Sequence, residues 1–149
     1  MKKTVKDLTE LENLAGDFLK KLKKGKKATI LALSGDLGSG KTAFTQMIAR
    51  KLGLRAKVTS PTFVLQKKYK LPPSGSKELL ASYKQLIHID AYRLNAGRDL
   101  LALDWAEIAA DPDNLIVVEW PEIVKDIIPD DCQRLNFKFI DDQTREVTI

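Results

Sequence analysis

The stretch Gly35-Asp36-Leu37-Gly38-Ser39-Gly40-Lys41-Thr42 constrains this chain more than any other. It fits G-x-x-x-x-G-K-[ST], a loop that cradles phosphates when it stands between a strand and a helix. Both flanks are legible. Residues 28–33 form a short apolar run with the character of a buried parallel strand. Phe44, Met47, Ile48 and Leu52 then recur at three- and four-residue steps, as on one face of a helix.

The residue types carry the chemistry. Gly35, Gly38 and Gly40 give the backbone dihedrals closed to other residues, so that N–H groups of Gly35, Asp36, Leu37, Gly38, Ser39 and Gly40 can turn onto phosphate oxygens. A helix starting near Lys41 adds the partial positive charge of its N-terminus. The Lys41 ammonium is expected to meet the β- and γ-phosphates of a nucleoside triphosphate, and the Thr42 hydroxyl to ligate Mg²⁺.

A chain of 149 residues suits one domain, here taken over residues 1–149, and 44% hydrophobic with 30% charged residues suits a globular protein. No apolar run approaches the ~20 residues that span a bilayer, and the first residues lack the apolar centre of a secretory signal. Cys132 is the single cysteine, which excludes an internal disulfide and accords with a reducing cytoplasm. The net charge of +5 conceals an asymmetry: residues 1–70 carry 17 Lys/Arg against 5 Asp/Glu, and residues 71–149 carry 8 against 15. Much of the excess sits in Lys20-Lys21-Leu22-Lys23-Lys24-Gly25-Lys26-Lys27. Such a run either touches nucleic acid or simply ends a helix, where cations are favourable. The second reading is the simpler.

In chain order, residues 7–24 read as an amphipathic helix stopped by Gly25. After the phosphate loop and its helix, Ser60-Pro61-Thr62 forms a stiff segment, in which Thr62 reads equally as a switch that senses the γ-phosphate or as a β-branched residue at the entry to a strand. Residues 63–69 read as a strand, 71–76 as a loop, and 83–89 as a further strand. Residues 98–110 look helical, 115–118 form a second continuous apolar strand, and 134–140 with 145–149 form a closing hairpin. The expected fold is α/β: a P-loop NTPase domain with a central, mostly parallel sheet flanked by helices and antiparallel hairpin strands at its edge.

A phosphate-loop enzyme needs a carboxylate beside its metal, usually at the end of a neighbouring apolar strand. Glu119 ends Leu-Ile-Val-Val, and Asp90 ends Leu-Ile-His-Ile. Strand C-termini line the ligand crevice of a parallel sheet, so both acids are candidates to face Mg²⁺ or its water. His88 reads more simply as a residue packed or hydrogen-bonded within the sheet.

Taken together, Gly-Asp-Leu-Gly-Ser-Gly-Lys-Thr (35–42), Ser-Pro-Thr-Phe-Val-Leu (60–65), His-Ile-Asp-Ala-Tyr-Arg-Leu (88–94) and Val-Glu-Trp-Pro-Glu (118–122) occur in the order of the bacterial TsaE family, which the chain resembles over nearly its whole length. The resemblance implies a small cytoplasmic ATPase using ATP and Mg²⁺ in the making of threonylcarbamoyladenosine beside the tRNA anticodon. It implies TsaD and TsaB as partners, with tRNA met through that complex rather than directly, and no membrane. By motif, Lys41 and Thr42 would carry triphosphate and metal, Thr62 would be the switch threonine and Glu119 the metal-side acid. Asp90 would assist catalysis, and Trp120 and Arg134 would stand near the nucleotide. Leu11 stands where many members carry a threonine that approaches the nucleotide.

Other classes fit less well. A small-molecule kinase usually adds a lid with arginines, and no segment reads as one. A GTPase switch would bring Asn-Lys-x-Asp for guanine, which is missing from the sequence. A non-catalytic nucleotide binder differs from an ATPase only in turnover.

Overall fold

The computed structural model describes residues 1–61, 65–73 and 82–149. Their elements are β1 (Lys2–Val5), α1 (Leu8–Lys21), β2 (Thr29–Gly35), α2 (Lys41–Lys51), β3 (Gln66–Lys70), β4 (Gln85–Asp90), α3 (Arg98–Leu101), α4 (Trp105–Ala110), β5 (Asn114–Glu119), β6 (Gln133–Phe139) and β7 (Arg145–Thr148), with a 3-10 turn at Pro121–Val124.

The strands form a seven-stranded sheet in the order β1-β7-β6-β2-β5-β4-β3. β6, β2, β5 and β4 run parallel, and β7, β1 and β3 add antiparallel edges. This is the P-loop NTPase arrangement expected from the sequence. The four parallel strands point their C-terminal ends, and so Gly35, Glu119 and Asp90, at one pole of the sheet.

Alternation along the strands builds two cores. Leu31, Leu33, Leu115, Val117, Leu86, Leu135 and Phe137 face α1 and α2 and pack on Leu14, Phe18, Phe44 and Ile48. Ile30, Ile116, Val118, Ile87 and Ile89 face the other way, onto Leu100, Trp105, Ile108 and Val124. β5 is buried along its whole length, which is why it reads as an unbroken apolar run.

α1 begins where Asp7 accepts the backbone N–H of Glu10 at 2.8 Å, and Glu10 returns the favour by accepting from Lys6 N at 2.7 Å. These reciprocal bonds satisfy donors that a helix start leaves open. The helix stops at Lys21, with Leu22 as its cap and already extended, so Gly25 does not act as the stop. Residues 98–110 are two short helices rather than one, because Asp104 takes a left-handed conformation (φ 58°) between them. The predicted strand over 63–69 is β3 from Gln66 onward; residues 63 and 64 and residues 74–76 of the predicted 71–76 loop lie outside the described residues. The closing hairpin is present as β6 and β7. β1, which pairs only with β7, has no counterpart in the sequence reading.

Candidate phosphate-binding site

β2 ends at Gly35 and α2 begins at Lys41, so the chain reverses within the intervening loop. Gly35 has φ +133°, and a Cβ there would stand 2.2 Å from the Phe137 carbonyl oxygen. Only glycine lets the loop lie this close to β6. Gly40, at φ +107°, caps α2 in the left-handed region and aims the helix N-terminus at the cleft beyond.

That cleft encloses about 500 Å³. Residues Leu37 to Thr42 form its floor; Ser60, Pro61, Leu65, Asp90, Glu119 and Trp120 form one side, and Arg145 another. Gly35 and Asp36 lie behind the floor, where their carbonyl oxygens accept hydrogen bonds from Lys41 Nζ, the second at 2.9 Å. The same ammonium lies 4.4 Å from the centre of the Trp120 ring. Burial pushes the Lys41 ammonium below its ordinary pKa, while Glu119, Asp90, Glu122 and Asp36 pull the other way. An anion arriving in the cleft would therefore meet a cation short of solvent, which strengthens their attraction.

The acids stand side by side. Asp90 and Glu119 are register partners at the ends of β4 and β5. Glu119 is 3% exposed, yet it is well partnered: Thr42 Oγ1 donates to its Oε1 at 2.9 Å, and His88 Nε2 lies 2.8 Å from the same oxygen. In the tautomer that carries its proton on Nε2, His88 donates this bond to the carboxylate. Both bonds fall on Oε1, which leaves Oε2 turned to other work. Asp90 accepts from Tyr92 N at 3.0 Å and from Ser60 Oγ at 3.3 Å.

Two observations bear on whether these residues suit a Mg²⁺-nucleotide. The Ser39 hydroxyl is fully buried at the loop and has no hydrogen-bond partner among the described residues, a rare state that a phosphate oxygen would relieve. Thr42 and Glu119 already sit within hydrogen-bond distance of each other, a hydroxyl and a carboxylate of the hard-oxygen type that Mg²⁺ prefers. The residues fit the group. Backbone strain gathers here as well. Leu65 (φ 56°) and Trp120 (φ 59°) are non-glycine residues in the left-handed region, and both line the cleft. The Trp120 ring also packs against that of Tyr92, centres 5.1 Å apart and planes tilted by 50°.

The fold thus brings Leu37, Gly38, Ser39, Gly40, Lys41, Thr42, Asp90, Glu119 and Trp120 to one cleft. Thr62 lies outside the described residues, although its neighbours Ser60 and Pro61 line the cleft. Arg134, expected near the nucleotide, is not among the lining residues: it stands exposed on β6 beside Ala32, two residues short of Asn136, and its neighbour Leu135 takes the inward position. The cation on that side of the cleft is Arg145, whose guanidinium carbon lies 4.5 Å from the Phe139 ring centre and which donates to the Thr144 carbonyl at 3.0 Å. Sequence reading missed Arg145 because only the strand order, β7 beside β6 beside β2, brings it near Gly40. His88 is hydrogen-bonded within the sheet, as read, but its partner is Glu119, so it belongs to the site as well.

Comparison with known proteins gives a consistent result. A family model described as "Threonylcarbamoyl adenosine biosynthesis protein TsaE" matches residues 5–147. A "tRNA threonylcarbamoyladenosine biosynthesis protein TsaE" of Rickettsia bellii is 34% identical over 137 residues, covering 91% of this chain and 85% of that protein. The Streptomyces coelicolor protein of the same description is 37% identical over 127 residues, covering 80% and 78%. The crystal structure of Bacillus subtilis YdiB matches with a TM-score of 0.70 at 26% identity, over 99% of this chain and 82% of that one. With four sequence motifs in order on this fold, a family match across nearly all its residues and relatives at this identity, the chain belongs to the TsaE family.

Proposed function

We propose that this protein is a Mg²⁺-dependent ATPase of tRNA threonylcarbamoyladenosine biosynthesis that works with TsaD and TsaB. The role in the modification rests on family membership. The observation that carries the chemistry is the Thr42–Glu119 hydrogen bond of 2.9 Å at the mouth of a glycine loop holding a buried lysine. Thr42 and Glu119 would hold Mg²⁺, which would supply positive charge to neutralise the triphosphate and stabilise the charge that develops in its transfer. Lys41 and the loop N–H groups bind and orient the triphosphate. Oε1 of Glu119 is fixed by Thr42 and His88, so the carboxylate is oriented before substrate arrives, which removes reorganisation from the reaction step. Asp90, level with Glu119, is the second carboxylate able to orient a water on the γ-phosphate side.

The rim supports the need for a partner. Leu37 is 81% and Tyr92 58% exposed beside the cleft, apolar surface that a docked protein would cover. Fast phosphoryl transfer wants water excluded and the developing charge met by a positioned cation. A cation supplied from outside contributes about 10³–10⁵ in other phosphate-loop enzymes. Steady-state ATP hydrolysis measured with and without TsaD–TsaB tests the reading. The expected result is slow Mg²⁺-dependent turnover alone, acceleration with the pair, and loss of ATP binding in Lys41→Ala. Full activity alone, or no hydrolysis under either condition, overturns it.

A further inference from the structure

The lysine run after α1 is not absorbed by the nucleotide site. Lys20 and Lys21 fall in the last turn of α1, where the helix dipole accounts for them. Lys24 is held by Asp113 and lies 5.9 Å from the Tyr83 ring centre. Lys23, Lys26 and Lys27 have no such explanation. They lie beyond the helix, are exposed, and form no ion pair among the described residues.

All three line a second cleft of about 670 Å³. It sits at the N-terminal end of β2, lined also by Thr29 and Ile30, whereas the phosphate loop leaves the C-terminal end. At ~3.3 Å per residue the seven residues of β2 hold the two clefts about 20 Å apart, at opposite poles of the sheet. Ala106, Ala109 and Ile127 contribute apolar lining, and Asp131 is the one carboxylate among its described lining residues. Three unpaired ammonium groups within five residues repel one another, a cost that a polyanion removes.

We infer that this cleft is a second binding site, one that takes the phosphate backbone of RNA directly. The polyanion is chosen on two grounds. The family's relatives are named for work on a tRNA. Lysines without carboxylate partners are mobile point charges able to follow successive phosphates along a backbone. The site is independent of the ATPase reading, because the opposite pole can be filled with nucleotide at the same time. Contact is independent of base sequence.

The test is fluorescence anisotropy with a labelled, unmodified tRNA transcript, at salt between about 50 and 200 mM. Three proteins are compared: the wild type, the triple variant Lys23→Gln, Lys26→Gln, Lys27→Gln, and a charge-matched control, Lys6→Gln, Lys57→Gln, Lys68→Gln, altered at exposed lysines elsewhere. The cleft variant is expected to bind at least ~10-fold more weakly, with the log–log salt slope reduced by about 2–3, while the control stays within about twofold of wild type. ATP affinity, measured on the same samples, should be unchanged in both variants; this reports on folding and keeps the result separate from the fate of the nucleotide site. Equal losses in the two variants, or no loss in the cleft variant, overturn the inference. So does a cleft variant that keeps RNA but loses poly-L-glutamate, which would make the cleft a site for an acidic protein.

Discussion

At the scale of single residues, the centre of the site is one oxygen atom. Glu119 Oε1 takes hydrogen bonds from Thr42 of α2 and His88 of β4, so three separate elements meet on it. The His88 ring is fully buried, and among the described residues its Nδ1 has no partner and its one bond is to the acid. A donor with no other work positions the carboxylate. Glu119→Ala should therefore lower hydrolysis by about 10²–10³ while weakening ATP binding much less, since the acid matters most where charge moves. His88→Ala should lower kcat by about 10–100-fold with a smaller change in KM, the usual effect of losing a group that orients a metal-side ligand. His88→Gln, which can still donate to Glu119, should recover part of it. Steady-state kinetics on the three variants checks this; a His88→Ala protein with wild-type kcat would reduce the residue to packing.

At the scale of elements, the phosphate loop depends on its seat against β6. Gly35 and Phe137 are register partners of β2 and β6. An alanine at 35 would place Cβ 2.2 Å from a backbone carbonyl that cannot retreat without breaking that pairing, and at φ +133°. Gly38 has φ +75° but open space around it. Gly38→Ala should then cost about 1 kcal/mol, the conformational penalty alone. Gly35→Ala should cost about 2–3 kcal/mol or more, since overpacking adds to strain. Urea unfolding of both variants gives the order, and equal losses would mean the β6 contact yields freely.

The same elements show where sequence is a sufficient guide. The strand–loop–helix unit, the two acid-ended strands and the closing hairpin were legible because each carries its own local signal: a glycine spacing, an apolar run or an alternation. β1 was not, because Lys2-Lys3-Thr4-Val5 buries little and gains its partner only through β7, distant in sequence. The break at Asp104 was missed because apolar spacing continues across it while one left-handed residue redirects the chain. Arg145 was not singled out for a related reason. Which of two late arginines reaches the loop is decided by strand order and by the side of β6 that Leu135 and Phe137 occupy, not by spacing in the sequence.

At the scale of the whole molecule, several aspartates tie distant or abrupt segments of the chain together, and their titration sets the response to acid. Asp113, just before β5, accepts from Lys24 after α1 and from Lys84 before β4, the latter at 2.6 Å. Those hydrogen bonds hold its carboxyl below the usual 3.8. Asp141 closes the β6–β7 turn by accepting from the backbone of Gln143 at 2.9 Å and Thr144 at 2.7 Å, and is lowered by those bonds. Asp99 opens α3 by accepting from Asn95 at 2.8 Å and Ala96 at 3.3 Å, with the same result. For all three the folded state prefers the ionised form more than the unfolded chain does. Their contribution is therefore complete above the unfolded value of 3.8 and is lost as pH falls through the lowered folded values, because there the unfolded chain binds more protons. All three sit at the surface, where solvent screens the charges. The urea midpoint should thus hold steady above about pH 5 and fall progressively from about pH 4 downward. Asp113→Asn should make that fall shallower, and added salt should erase the difference between variant and wild type, because ammonium partners are screened. The backbone-held Asp99 and Asp141 should leave a salt-resistant remainder, since a carboxylate accepting from backbone N–H depends on short contact rather than on a second mobile charge. A midpoint that stayed flat to about pH 3 would show that these carboxyls bind protons equally well in the folded and unfolded chain.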